Sequence, residues 1–172
     1  MGRVDGWKYC PRCAAELEHS HERVDCPSCG FVSHSNSEPT ACALVVDDEG
    51  RLLLVRRAGD PYRDTWDLPG GFLEEAETPL DGLRRELREE TGLEIEPDGF
   101  VGAWLDAYGD GPDSPTTLNL YWAAHVVGGE AVAGDDASEL GWFARDELPP
   151  GDELGFPNVR EVLRAWQGQA RS

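Results

Sequence analysis

Lysine is nearly missing from this chain: Lys8 stands alone and every other basic residue is arginine. Positive charge is scarce altogether, with 15 Lys and Arg against 34 Asp and Glu and a formal net charge of −19. A surface of that sign repels polyanions, which argues against broad electrostatic binding to nucleic acid or to an anionic membrane. Long apolar runs are lacking too. The longest, Ala41 to Val46, falls far below the roughly 20 residues of a membrane-spanning helix. No basic stretch leads into an apolar segment near the N-terminus, so a cytoplasmic location is the expectation. No internal repeat or low-complexity tract stands out. The 172 residues, 40% of them hydrophobic, suffice for one ordinary domain and a small appendage.

Cysteine is sparse but placed. Four of the five form Cys10-Pro-Arg-Cys13 and Cys26-Pro-Ser-Cys29, with twelve residues between the pairs. Two such knuckles bring four thiolates within reach of one tetrahedral ion, and Zn²⁺ with four sulfurs is a closed structural site. Two disulfides are the competing reading, disfavoured without a secretion signal. Gly30 suits the tight turn after the second knuckle, and His19, His21 and His34 are read as surface residues. A segment this short buries little apolar surface, so the metal would supply most of its folding free energy. Residues 1–35 are therefore read as a zinc ribbon, with a structural or homodimerising role preferred to nucleic-acid recognition, and residues 36–172 as the main domain. Cys42, lone in an apolar run, is read as a packed core residue.

The stretch Gly71 to Leu93 carries the chemistry. Thr78 caps a helix with Asp81 three residues on, Pro79 occupies its first position and Gly92 closes it, which predicts a helix from about Pro79 to Thr91. Leu80, Leu83 and Leu87 make its buried stripe, while Glu86, Glu89 and Glu90 project together from another side. Three like charges on one face repel, and a hard divalent cation relieves the repulsion; Mg²⁺ takes carboxylate oxygens and is commonly shared with a substrate's phosphates. Gly70 and Gly71 let a backbone carbonyl approach the same ion.

These residues resemble the Nudix box, G-x5-E-x7-R-E-U-x-E-E-x-G-U with U aliphatic. Gly71, Glu77, Arg85, Glu86, Leu87, Glu89, Glu90, Gly92 and Leu93 fill every fixed position. The resemblance implies an α+β or α/β fold, the Nudix α/β/α sandwich with a mixed sheet, here preceded by the small four-cysteine zinc ribbon. It implies a Mg²⁺- or Mn²⁺-dependent hydrolase of a nucleoside diphosphate linked to another moiety, with Glu86, Glu89 and Glu90 as ligands and Gly70 contributing its carbonyl. Glu77 and Arg85 would be a structural pair holding loop and helix in register.

Around the box, Ala41 to Asp47 and Leu52 to Arg57 read as a hairpin joined by Asp48-Glu49-Gly50. Phe100 to Tyr108 and Leu118 to Val127 read as strands flanking a Pro/Gly-punctuated loop. Asp135, Asp136 and Glu139 are placed in a loop before a strand at Leu140 to Ala144, and Pro157 to Gln167 as a helix with Val159, Val162, Leu163 and Trp166 on one face. By the resemblance, Glu139 sits where an acidic residue outside the box completes the metal site or acts as general base. Arg56, Arg57 and Arg63 are candidate diphosphate contacts, and Trp104, Tyr108, Tyr121 and Trp122 are more readily core than stacking residues.

A zinc ribbon ahead of this domain also resembles the NADH pyrophosphatase branch, including NAD-cap hydrolases. The S-Q-P-W-P-F-P-type motif of that branch is missing after the box, where the chain reads EIEPDGFVGAWLD. The ending GWFARDELPPGDELGFPNV is more similar to zinc-ribbon Nudix enzymes acting on ADP-ribose or FAD. An oxidised-nucleotide hydrolase needs the same metal site with another base pocket. A non-catalytic nucleotide-sugar sensor would be expected to carry a degenerate box, and this box is complete.

Overall fold

The structure is a computed structural model. It describes residues 4, 6–20, 23–111, 114–134 and 136–168, so His21 and Asp135 lie outside the described residues. The chain divides into two compact units, residues 1–38 with 107–117, and residues 39–106 with 118–172.

In the first unit, three short strands, β1 (Glu18–His19), β2 (Arg23–Asp25) and β3 (Val32–His34), form an antiparallel sheet in that order. The two cysteine knuckles repeat one another bond for bond. Cys10 N–H donates to Ala15 C=O and Ala14 N–H to Cys10 C=O; likewise Cys26 N–H donates to Phe31 C=O and Gly30 N–H to Cys26 C=O. Both turns need a left-handed residue, Ala14 at φ 59° and Gly30 at φ 73°. The sequence signals only the second of these, because alanine rarely occupies that region. The four Sγ atoms lie within 4.8 Å of one another, with Cys10–Cys29 at 3.6 Å and Cys13–Cys26 at 3.5 Å. A tetrahedral ion with metal–sulfur bonds of about 2.3 Å separates its sulfurs by about 3.8 Å, so this donor set fits one. Val4, Leu17 and Val24 pack with Cys10 and Cys26 as a miniature core.

In the second unit the strands are β4 (Glu38–Val45), β5 (Leu52–Arg57), β6 (Trp66–Asp67), β7 (Gly70–Phe72), β8 (Leu93–Ala107), β9 (Thr116–Gly129) and β10 (Ala137–Phe143). Helix α1 (Pro79–Thr91) falls between β7 and β8, and α2 (Pro157–Gly168) ends the described chain. They form a four-stranded sheet, β7-β4-β9-β8, and a three-stranded one, β10-β5-β6. The β4–β7, β5–β6 and β5–β10 pairings are antiparallel, while Trp66 bridges Leu154 in parallel, so the arrangement is mixed. The expected hairpin therefore dissolves. Asp47 and Arg51 do close a tight turn, but beyond the Val46–Leu52 bridge β4 and β5 diverge into different sheets. Both strands are almost wholly buried and each finds other partners, which a two-stranded ribbon does not allow.

Helix α1 forms as its end signals dictate. Asp81 N–H donates to the Thr78 hydroxyl, Pro79 lies in the first turn, and Gly92 closes the helix at φ 70° with its N–H donating to Arg88 C=O. Its buried face is Gly82, Leu83, Leu87 and Thr91, whereas Leu80 is 38% exposed. The first turn is covered on its Gly82 side instead, where a Cβ would meet Leu73 at 2.5 Å. Ala41, Ala43 and Val45 of β4 pack with Leu83 and Leu87. The alternate residues Leu44 and Val46 line a small cleft with Val101, Ala123 and Trp166 of α2, so the two helices cover opposite faces.

Replacing Ala14 by glycine removes the left-handed penalty of an L-residue, about 1 kcal/mol. Ala14→Gly is expected to slow amide hydrogen exchange at residues 10 and 14 roughly fivefold. Unchanged exchange there would show that the turn carries no strain.

Candidate active site

The approach to α1 is built by two glycines for two different reasons. Gly70, at φ 145°, lies so close to β4 that a Cβ would sit 2.3 Å from Ala41 C=O. At Gly71 a Cβ would sit 2.4 Å from Glu86 Oε2. Strand β7 is thus clasped between its sheet neighbour and the helix carboxylates. Gly70 N–H donates to Glu90 Oε2 at 3.0 Å. Glu86 and Glu90 therefore lie against the two glycines, Glu90 through the Gly70 N–H rather than its carbonyl.

Arg85 joins the loop to the helix. Its Nε and Nη2 donate to the two oxygens of Glu77 at 2.9 Å each, and Nη2 also donates to Phe72 C=O at 3.1 Å. Nη1 reaches Glu86 Oε1 at 2.8 Å and Glu89 Oε2 at 3.1 Å. The guanidinium, together with Glu74 N–H, pulls the Glu77 carboxyl down to about 2. Glu89 lies on the exposed side of this network.

Burial acts the other way on the remaining acids. Glu86 is pushed above its ordinary value by desolvation, against the pull of Arg85. Glu90 is raised to about 8 by burial, opposed by Gly70 N–H and reinforced by Asp67 and Glu86. Asp67 is raised to about 6 by burial, with Arg57 opposing. Asp67, Glu86 and Glu90 lie at or beside β7, each raised by desolvation, and their oxygens are of the kind a hard divalent cation takes. Among the described residues the cysteines are the one set of three or more His, Cys, Asp or Glu ligand atoms all within 4.8 Å of one another. The helix carboxylates are instead spread between Arg85, Gly71 and Gly70.

Sequence reasoning does not single out Asp67. Its signal is a lone carboxylate inside the apolar run Trp66 to Pro69, and the fold buries it against Arg57 Nη1 at 3.3 Å. Among the candidate cations Arg57 alone turns toward this acid. Arg56 pairs with Glu139 and Arg63 with Asp60. Glu139 lies within β10 rather than in a loop, beside a bulge in its pairing with β5, and its 3.2 Å contact to Arg56 is on an exposed surface. The strand starts earlier than its apolar residues suggest because pairing with β5 extends back to Ala137. Of the aromatics, Tyr121 is a core residue packed edge-on against Trp104, and Trp122 meets Phe100. Cys42 is buried, its thiol raised by burial, consistent with a packing role.

Because Glu77 titrates lower in the folded protein than its ordinary 4.5, the pair stabilises fully above about 4.5 and is lost as pH falls toward 2. Glu77→Gln should lower the urea midpoint at pH 7, and the gap to the parent should close between about pH 4.5 and 2. A gap independent of pH would assign the loss to something other than this ion pair.

Comparison with known proteins agrees with this geometry. The family model described as the NUDIX domain matches residues 36–166. An ADP-ribose pyrophosphatase of Methanocaldococcus jannaschii is 32% identical over 126 residues, 72% of this chain and 71% of that protein. An NAD-capped RNA hydrolase of Pseudomonas aeruginosa is 30% identical over 91% of this chain, which spans only 53% of that relative. The crystal structure of a NUDIX hydrolase from Nitrosomonas europaea superposes with a TM-score of 0.78 at 24% identity, covering 94% of this chain and 90% of that one. With the NUDIX model matched over residues 36–166, every fixed position of the box filled, Glu86 and Glu90 against Gly71 and Gly70, and Glu77 paired to Arg85, the chain belongs to the Nudix hydrolase family.

Proposed function

We propose that this protein is a divalent-metal-dependent pyrophosphohydrolase that cleaves the diphosphate of an ADP-linked compound, ADP-ribose or FAD in the first instance. The observation that carries the reading is the pair of half-buried carboxyls, Glu86 held against Gly71 and Glu90 bonded to the Gly70 N–H, each raised above its ordinary value by desolvation. Glu86, Glu89 and Glu90, with the Gly70 carbonyl, would hold Mg²⁺ or Mn²⁺. When bound, the metal supplies charge neutralisation on the diphosphate and a more acidic water. Arg85 and Glu77 keep the helix and its approach loop in register, so that the carboxylates need not reorganise. Arg57 brings a guanidinium next to Asp67, and β10, which packs on α1, presents Glu139 as the candidate carboxylate to take the water's proton. Water adds to one phosphorus and the bridging oxygen leaves, giving a nucleoside monophosphate and a phosphorylated remainder.

Residues 1–35, as the ribbon, would hold Zn²⁺ through Cys10, Cys13, Cys26 and Cys29, a closed site with a structural role. The likeness to an NAD-capped RNA hydrolase extends over 91% of this chain and keeps NADH-type substrates as the second reading. The absent S-Q-P-W-P-F-P-type motif disfavours it.

The test is a panel of ADP-ribose, FAD, NADH and nucleoside triphosphates with Mg²⁺ or Mn²⁺, read by the products released. ADP-ribose or FAD should give the highest kcat/KM. Glu90→Gln should lower kcat by about 10²-fold or more with the circular dichroism spectrum unchanged; near-normal turnover would remove Glu90 from the mechanism.

A further inference from the structure

The crossover from β9 to β10 meets the end of α1 backbone on backbone. Val132 N–H donates to Thr91 C=O at 2.9 Å and Gly134 N–H to Glu90 C=O at 2.8 Å, so this segment serves carbonyls for which the helix has no donor of its own. Glycines permit the approach. A Cβ at Gly92 would sit 2.5 Å from Glu130 C=O, and one at Gly129 would overlap Gly92 C=O. Both residues have left-handed φ, 70° and 85°, so the local turns already call for glycine. Gly134 is different. Its φ lies outside the left-handed range, yet a Cβ there would overlap Glu89 C=O and stand 3.0 Å from that carbonyl carbon and 3.2 Å from Glu90 Cα. The closeness of α1, not the local turn, is what requires glycine here.

Gly134 is also held from behind. Ala137 N–H donates to Gly134 C=O at 3.1 Å, Ala58 N–H donates to Asp136 C=O at 2.9 Å, and from Ala137 onward β10 pairs with β5. On the other side, Glu89 and Glu90 spring from the very backbone that Gly134 touches, and the Glu90 carboxylate reaches Gly70 N–H at 3.0 Å. A shift of about 1 Å in the last turn of α1 spoils the geometry of that bond.

We propose that Gly134 is a positioning residue for the carboxylates of α1. By letting the crossover lie flush against Glu89, it fixes how the last turn of the helix stands against β7, and so where Glu89 and Glu90 present their oxygens. The inference rests on the reading of those two acids as metal-holding groups and names what sets their placement.

The test compares the parent protein, Gly134→Ala and a control, Gly99→Ala, where a Cβ meets nothing within 4 Å. Amide hydrogen exchange is measured without metal or substrate. In Gly134→Ala the Gly70 amide should exchange about tenfold faster, while the Leu83 and Leu87 amides, farther back in the helix, keep the parent rate. Gly99→Ala should exchange as the parent does at all three. Unchanged exchange at Gly70 would overturn the assignment, because the crossover would have yielded without moving Glu90. Equal acceleration at Leu83, Leu87 and Gly70 with a lowered Tm would overturn it too, leaving Gly134 a residue that merely stabilises the helix. Mn²⁺ is then titrated and followed by electron paramagnetic resonance. Gly134→Ala should bind it about tenfold more weakly than the parent, and parent-like affinity would overturn the assignment. If the parent itself binds no Mn²⁺, faster exchange confined to Gly70 still supports the positioning role, and the metal reading of α1 alone has failed.

Discussion

The site depends on one guanidinium. Arg85 holds Glu77 with two hydrogen bonds, ties down the Phe72 carbonyl, and reaches Glu86 and Glu89 with its remaining nitrogen. Without it, the loop from Phe72 to Thr78 loses its charged tie to α1, and Glu86 and Glu89 lose the guanidinium they bond to. Arginine suits the task because its planar fork meets a carboxylate with two donors and cannot lose its proton. Glu77 answers as an acid that stays ionised down to about pH 2.

Around that anchor the acids sort by environment rather than by type. Glu77, gripped by Arg85, is the stronger acid; Glu90, desolvated and bonded to a backbone N–H with Asp67 and Glu86 nearby, is the weaker one. They come from one short stretch of chain, and desolvation against hydrogen bonding decides the difference. The close fits bear on the same point, because without a Cβ at Gly71 the Glu86 carboxyl can lie against β7, and without one at Gly70 β7 can lie against β4. A side chain at Gly71 would push the Glu86 carboxyl outward, and one at Gly70 would force β7 away from β4.

Much of this is legible without coordinates. The limits of α1 are marked by Thr78, Pro79 and Gly92, residues whose local chemistry acts over three or four positions. The knuckle spacing likewise marks a four-sulfur site. The expected hairpin fails because tight-turn residues at Asp47 to Arg51 report only that the chain reverses, while the partners of β4 and β5 are β7 and β9 for one and β6 and β10 for the other. The expected burial of Leu80 fails because periodicity gives an angle around a helix and says nothing of where the covering layer stops. Glu139 belongs to a strand rather than a loop because pairing to β5, not apolar alternation, sets where β10 begins.

What the sequence determined by itself was therefore whatever depends on near neighbours: the caps, the box spacing, the thiol knuckles, and the acidic balance that confines any phosphate binding to a local site. What only the tertiary structure decided was which charges share a low-dielectric space. Asp67, Arg57 and Glu90 come from β6, β5 and α1, yet packing brings them into one electrostatic environment. Burial and long-range pairing arise from the whole folded chain, so the same letters in an exposed loop would carry ordinary acidities.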